Sequence, residues 1–359
     1  MREHRRKRRG AALAVYSILI TLASVLLLLL SLFLVNIKNK NEEKIAETDH
    51  VLEEVSDNLV ALEKENEELE ADNKFLNETS TGAKFRAKLK SMFQSGSSTI
   101  QVLKYLFPDE IVLTDEGSFY FYEISDDLKK NSYKDENFIL NDSNEIEYAV
   151  DGETVSIKGI DISKHNGEID WEKVAASGVK FAFIRCGIRG YGSGEIVADD
   201  NFQKNVEGAA ANGIQVGTYF FSQAVSANEA REEAEFVLNS VSQLSINCPI
   251  AIDVEKVEGV DSVPRTNGLS SDQYTENVLE FCNTISEAGY TPMIYGNIKS
   301  FARLLNMDEL EDIQKWFAGY VSEDSISPYF PYEFRVWQYS STGKVDGISG
   351  DVDMNIAFY

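Results

Sequence analysis

Two acids stand where an apolar strand would not be expected to hold any. Asp253 and Glu255 close the run Pro249-Ile250-Ala251-Ile252-Asp253-Val254-Glu255, whose composition is that of a buried strand, and burying acids there is unfavourable unless they are used. Side chains alternate across a strand, so with Ile252 and Val254 directed outward both acids project into one space. Crowding carboxyl groups in a poorly solvated space keeps at least one of them protonated towards neutrality. A protonated carboxyl can give its proton to a leaving oxygen, which is the acid-base chemistry of glycoside cleavage. Asp161, in Gly159-Ile160-Asp161, and Asp353, in Asp351-Val352-Asp353, also lie at or in apolar stretches. On a chain this acidic any one of these residues alone reads as a solvated or capping group; it is the grouping that points to a site.

Other chemistries find little support. His165, in Ser163-Lys164-His165-Asn166-Gly167, is the one histidine of the C-terminal 200 residues, since His4 and His50 are remote. A serine-histidine-aspartate set is therefore implausible, and His165 reads as a structural or substrate-edge residue. Asp and Glu without His and without an EF-hand spacing are a weak metal signal, so neither metal nor cofactor is expected. Cys186, Cys248 and Cys282 sit in apolar or amphipathic runs without a CxxC pair and read as buried free thiols. The net charge of −25 repels phosphate backbones and argues against nucleic acid as a partner.

Strand ends collect acids only if the strands share a sheet. Strand-like runs at 159–163, 180–186, 215–221, 250–255 and 292–295 alternate with helical patterns at 171–177, 201–212, 227–241, 271–288 and 298–305, the signature of a parallel sheet. Three more strands, near 316–320, 334–339 and 351–357, are crowded into under fifty residues. A βα repeat takes about 30 residues, so these three cannot each carry a helix. The expected fold is α/β, a modified TIM-like barrel of the form (β/α)5(β)3 over residues 158–359, with the site at the C-terminal ends of the strands. That segment holds a complete set of barrel strands and all four acids, so it is expected to fold alone.

The first third differs. Arg2, Arg5, Arg6, Lys7, Arg8 and Arg9 form a basic tail over 1–10, and no charge follows until Lys38. Residues 11–37 exceed the roughly 20 apolar residues that cross a bilayer. They continue as Leu32-Phe33-Leu34-Val35 where a cleaved signal peptide would have ended, so an uncleaved anchor is expected. The basic excess before it, against Lys38 and Lys40 after it, places the tail in the cytoplasm and the rest of the chain outside, at the cell membrane. Over 41–79, Ile45, Leu52 and Leu59 occupy one heptad seam and Val55, Leu62, Leu69 and Leu76 the other, with Asn66 and Asn73 continuing the first and Thr48 interrupting the second. This predicts a coiled-coil stalk forming a parallel homodimer, or a solvated single helix that only spaces the C-terminal part from the membrane. Between 82 and 157 short alternating stretches and the turn dipeptide Asp151-Gly152 suggest a small β-rich accessory region.

The motifs carry a resemblance. Gly159-Ile160-Asp161-Ile162-Ser163, His165-Asn166-Gly167, Ile169-Asp170-Trp171, Phe181-Ala182-Phe183-Ile184-Arg185, Val216-Gly217-Thr218-Tyr219-Phe220-Phe221, Ile252-Asp253-Val254-Glu255, Val336-Trp337-Gln338-Tyr339 and Gly350-Asp351-Val352-Asp353-Met354-Asn355 resemble, in order, glycoside hydrolase family 25, the Chalaropsis-type lysozymes. The resemblance covers about 200 residues and leaves the first 157 outside. It implies a truncated barrel and hydrolysis of the β-1,4 bond from N-acetylmuramic acid to N-acetylglucosamine in peptidoglycan. It implies Glu255 as general acid, Asp253 as the group that orients or stabilises the acetamido substituent, and Asp161 and Asp353 as supporting carboxylates. Tyr219, Tyr295, Trp337 and Tyr339, near strand ends, are candidates for contact with sugar rings, and Arg185, in its strand motif, for substrate binding. Two alternatives stay open: a glycan-binding or scaffold protein of the same fold with little turnover, and a glycosidase for another N-acetylated glycan such as chitin.

Overall fold

The computed structural model describes residues 78–359 apart from 116, 142, 144, 322–324 and 359. The basic tail, the apolar anchor and all but the last two residues of the expected stalk lie outside the described residues. Among the described residues no helix is long and apolar enough to cross a membrane. The chain divides into two compact units, 1–88 and 89–359; of the first, only the opening of helix α1 (Glu78–Gln94) is described.

The second unit is built on a closed barrel. Its strands are β6 (Ser156–Ile162), β7 (Phe181–Arg189), β9 (Gln215–Phe221), β10 (Ile250–Asp253), β11 (Pro292–Asn297), β12 (Gln314–Ala318), β13 (Val336–Gly343) and β14 (Val352–Phe358). They pair in the order β6-β7-β9-β10-β11-β12-β13-β14, and β14 returns to β6 to close the ring. From β6 to β13 every pairing is parallel, whereas β14 is antiparallel to both neighbours. The short β8 (Ile196–Ala198) folds back as a hairpin on β7, outside the ring.

Four α-helices pack outside the early strands: α3 (Trp171–Ala176), α4 (Phe202–Ala211), α5 (Ala227–Val241) and α6 (Ser271–Glu287). α5 shows why the pattern is helical. Ser226 accepts from the Glu229 N–H as N-cap, and Ala230, Ala234, Val237 and Val241 recur at three- and four-residue spacing on the buried face. The fifth expected helix, at 298–305, forms over 298–304, α-helical at its first two residues and π-helical at Ser300–Leu304, and a 3-10 turn at Met307–Leu310 follows. Just beyond it the Asn306 N–H donates to the Thr275 hydroxyl on α6 at 2.9 Å.

Alternation along the strands divides the apolar residues into two cores. Phe181, Phe183, Ala251, Met293, Tyr295, Trp316, Ala318, Val336 and Ala357 fill the barrel interior, while the opposite faces of the strands join the helices in a larger outer core. Two glycines make room inside. A Cβ at Gly159 would lie 2.2 Å from the Phe181 ring and one at Gly217 would lie 2.6 Å from Phe183, so the phenyl groups occupy the volume the glycines leave empty.

The region expected to be a small β-rich accessory segment begins instead with helices, α1 and then α2 (Thr99–Leu106), the latter opened by a Ser98/Gln101 capping box. A hairpin follows, β1 (Glu110–Asp115) and β2 (Ser118–Glu123), and then a three-stranded sheet of β3 (Phe138–Leu140), β4 (Ile146–Val150) and β5 (Glu153–Thr154). Asp151 and Gly152 form the expected turn, both with positive φ, 53° and 84°. From residue 89 onward this region belongs to the same compact unit as the barrel. It covers the side of the barrel where, among the described residues, no helix follows β12, β13 or β14. Tyr133 stacks on Phe358 at 4.1 Å between ring centres, and Phe138 meets Trp337 edge-on at 5.3 Å. Tyr329 accepts from the Val112 N–H and donates to the Glu110 carbonyl, and Tyr332 accepts from the Ser125 N–H.

Candidate active site

The floor of the barrel mouth is a chain of polar side chains, each fixed by the next. Asp161, on β6, is buried, and its Oδ2 accepts from Gln338 Nε2 on β13 at 2.8 Å and from Asn355 Nδ2 on β14 at 2.7 Å. The other atoms of those amides are also engaged: Tyr295 donates its hydroxyl to Gln338 Oε1 at 3.0 Å, and Trp316 Nε1 donates to Asn355 Oδ1 at 2.7 Å. Asp353 is directly opposite Asp161 in the β14–β6 register and hydrogen-bonds to it. Burial and the Asp353 charge push Asp161 well above the usual carboxylate range, against the two amide donors. Burial pushes Asp353 up to about 6, and the hydrogen bond from Asp161 opposes it. The pair therefore holds a shared proton near neutrality.

Asp253 ends β10 with its side chain buried, and its Oδ1 has no hydrogen-bond partner among the described residues. Burial first, then the charges of Glu255 and Asp161, raise it well above the usual range, and Arg185 opposes the shift. Glu255 follows two residues later, half-buried, with Oε1 accepting from Asn297 Nδ2 on β11 at 2.8 Å. Burial raises its pKa and the Asn297 hydrogen bond restrains it. The Asn297 Oδ1 accepts from the N–H groups of Lys299 and Ser300, which fixes the direction in which its amide reaches Glu255. Behind Glu255, Gln223 donates to the Glu255 carbonyl at 3.3 Å while its own Oε1 accepts from Thr266.

The result is one half-buried, locally held carboxyl at the rim, its pKa raised by burial, and one buried carboxyl with a free oxygen beside it. Such an arrangement delivers a proton to an oxygen brought to Glu255, and it offers Asp253 to a hydrogen-bond donor or a developing positive charge on the same substrate. A profile of glycosyl hydrolases family 25 matches residues 160–348. The chain belongs to that family. The autolytic lysozyme of Clostridium acetobutylicum is 32% identical over 200 residues, 55% of this chain and 55% of that protein. Lysozyme M1 of Streptomyces globisporus is 28% identical over 207 residues, 56% of this chain and 68% of that protein. This chain thus spans about half the length of the first of these relatives. Among solved structures, the modular autolysin LytC of Streptococcus pneumoniae superposes with a TM-score of 0.51 at 25% identity, covering 69% of this chain and 58% of that one. LytC in complex with a synthetic peptidoglycan ligand superposes with a TM-score of 0.50, also at 25% identity, covering 70% and 58%.

In the barrel the structure brings Asp161, Asp253, Glu255 and Asp353, the last just beyond the family match, together at one mouth, with Tyr219 and Arg185 on the adjoining strands. Tyr219 stands half-buried in the inner layer against the edge of Trp316. Arg185 is tied to Asp199 at 2.9 Å, and its charge bears on Asp253 and Tyr219. Tyr295 is buried, and its hydroxyl serves the floor through Gln338. His165 lies exposed on the 3-10 turn at Lys164–Asn166.

Trp337 and Tyr339 need correction. They are fully buried on the outward face of β13, with Trp337 donating to the Gly319 carbonyl and packing on Phe138, so no sugar ring reaches them. The residue between them, Gln338, is the one that faces the site. Gln338, Asn355, Asn297 and Gln223 were missed by sequence reasoning. Strand parity, applied to Val336-Trp337-Gln338-Tyr339 and to Asp353-Met354-Asn355 as it was to Asp253-Val254-Glu255, is the signal that finds the first two.

Proposed function

We propose that this chain is a muramidase that hydrolyses the β-1,4 bond between N-acetylmuramic acid and N-acetylglucosamine in peptidoglycan. The observation that carries this reading is the pairing of Glu255, held by Asn297 with its pKa raised, with the buried unpartnered oxygen of Asp253. Glu255 gives its proton to the glycosidic oxygen as the bond to the anomeric carbon breaks, so the departing sugar leaves as an alcohol; a water then supplies the new C–O bond at that carbon, and the proton it releases restores the carboxyl given up by Glu255. The open Asp253 oxygen takes the N–H of the neighbouring acetamido group and stabilises positive charge at the reacting carbon. Asp161 and Asp353, sharing a proton, limit the negative charge beneath the sugar. The family membership and the lysozymes among the relatives support the substrate class.

The uncharged run over 11–37 and the heptads over 41–79 support a tether to the cell membrane, with the catalytic unit outside the cell on a coiled-coil stalk that pairs two chains. A tethered enzyme acts on nearby wall, which suits remodelling of the cell's own envelope. Digestion of purified peptidoglycan, with product ends read by mass spectrometry, is expected to yield muramic acid at every new reducing end. N-acetylglucosamine at those ends, or equal turnover of chitin, overturns the substrate reading, and recovery of intact protein in the soluble fraction overturns the tether.

A further inference from the structure

Asn297, which holds Glu255, also lines a cleft of about 470 Å³. Its walls come from the loop after β10 (Lys256 to Glu258, Pro264, and Thr266 to Leu269), from the end of β11 and the turn after it (Asn297 to Ser300, Arg303 and Leu304) and from Asp115 at the end of β1. Asp115 is supplied by the region outside the family match, so this cleft is not built by the family domain alone. Buried Asp115 binds Lys299 at 2.8 Å and also Arg303, whose guanidinium in addition stacks over the Tyr120 ring of the same hairpin at 4.5 Å. Glu258 reaches Lys299 from the other wall at 3.5 Å.

The cationic pair is held, yet it is not closed off. A third of the Arg303 side chain and a similar share of Lys299 remain exposed where they line the cleft, as does more than half of Glu258. A guanidinium carries five donors in a planar fork, so one carboxylate partner leaves others for a second. The backbone of Lys299 is also bound to Asn297, which holds Glu255, so the cationic wall begins at the rim of the chemistry. Cations exposed in a cleft of a chain carrying −25 select an anionic group. The sugar rings of a wall glycan offer hydroxyl and acetamido groups without charge. Carboxylates and amines come from the peptide attached at the lactyl ether of muramic acid, and Arg303 with Lys299 on one wall and Glu258 on the other present charges of both signs to them.

We propose that this cleft is a subsite for the peptide stem of the substrate, completed by the β1–β2 hairpin, with Arg303 and Lys299 binding a stem carboxylate. The proposal rests on the muramidase reading. Its test compares the full chain on wall glycan that carries its peptides and on the same glycan stripped of them by an amidase, with each lactyl carboxyl that the amidase frees recapped as its methylamide so that stripping adds no new anion. Wild type is expected to show kcat/KM about tenfold higher on the peptide-bearing strands, the size of one charge-assisted hydrogen bond. Arg303→Gln is expected to bring that ratio close to one. A wild-type ratio of one or below overturns the subsite. So does an Arg303→Gln protein that loses both activities in parallel, which would make the cluster only an anchor for the hairpin. Should that variant fail to fold, the wild-type ratio itself is measured against salt: it must fall as exposed charges are screened, and a ratio indifferent to salt overturns the proposal. Absence of turnover on both substrates instead removes the muramidase reading on which it stands.

Discussion

The two faces of β13 have opposite fates. Val336 and Gln338 point into the barrel, where Gln338 is a relay between Tyr295 and Asp161, while Trp337 and Tyr339 point outward into an aromatic layer completed by Phe138, Tyr148 and Phe358. Four consecutive residues therefore belong to two machines, one polar and hydrogen-bonded, the other apolar and packed. The difference teaches that nearness in sequence to a site says less than the parity of a residue along its strand. It also shows what the missing helices leave behind. A barrel strand has two faces to cover, and where no helix among the described residues follows β12, β13 or β14, residues 89–157 supply the cover.

The largest effect tests the inner face. Glu255→Gln keeps the shape and removes the proton, and turnover on peptidoglycan is expected to fall by about 10² to 10⁴, with melting temperature and glycan binding unchanged. Full activity in that variant removes Glu255 from the mechanism.

The outer face is tested by stability. Trp337→Ala opens a cavity in the aromatic layer and is expected to cost about 3 to 5 kcal/mol in chemical denaturation, with kcat per folded molecule preserved. Gln338→Met, one residue along, is expected to do the reverse: a smaller loss of stability, and a turnover defect from an Asp161 left with one donor. If both variants behaved alike, the division of β13 into two faces would be without functional meaning. Deleting residues 1–157 extends the same argument. It uncovers Trp337, Tyr339, Phe334 and Phe358 together, so the fragment from 158 onward is expected to be unstable or insoluble, contrary to the reading from strand count alone.

That reversal marks what the sequence makes legible. Strands and acids are local signals, so the eight strands and the grouping of Asp161, Asp253, Glu255 and Asp353 follow from periodicity and motif. The antiparallel sense of β14 is not local: Met354 and Ile356 have the same alternation whichever way the strand runs. The cover over β13 is equally non-local, since Tyr133 and Phe138 meet Phe334 and Trp337 across about 200 residues. Asn297 shows no pattern of its own, because its role comes from a turn whose N–H groups orient its amide. Trp337 and Tyr339 mislead for a different reason: their aromatic character suggests sugar contact, whereas strand parity sends both to the outward face.

The smallest effect separates function from stability at the floor. Burial pushes Asp353 up to about 6, whereas the same group in the unfolded chain titrates near 4, about the ordinary aspartate value. Between those pH values the folded state holds a proton that the unfolded state has released. This group's contribution is therefore fully present below about pH 4, declines as pH rises through the window, and is lost above about pH 6. Asp353→Asn removes the titration and also relieves Asp161 of a neighbouring charge. The variant is expected to melt about 2 to 4 °C above wild type at pH 7, with the difference shrinking towards pH 4, and to turn over substrate more slowly. Melting curves at a series of pH values decide it. A variant less stable than wild type at pH 7, or one displaced equally at every pH, would mean that Asp353 is held there by packing and hydrogen bonding and that the floor stores no electrostatic strain.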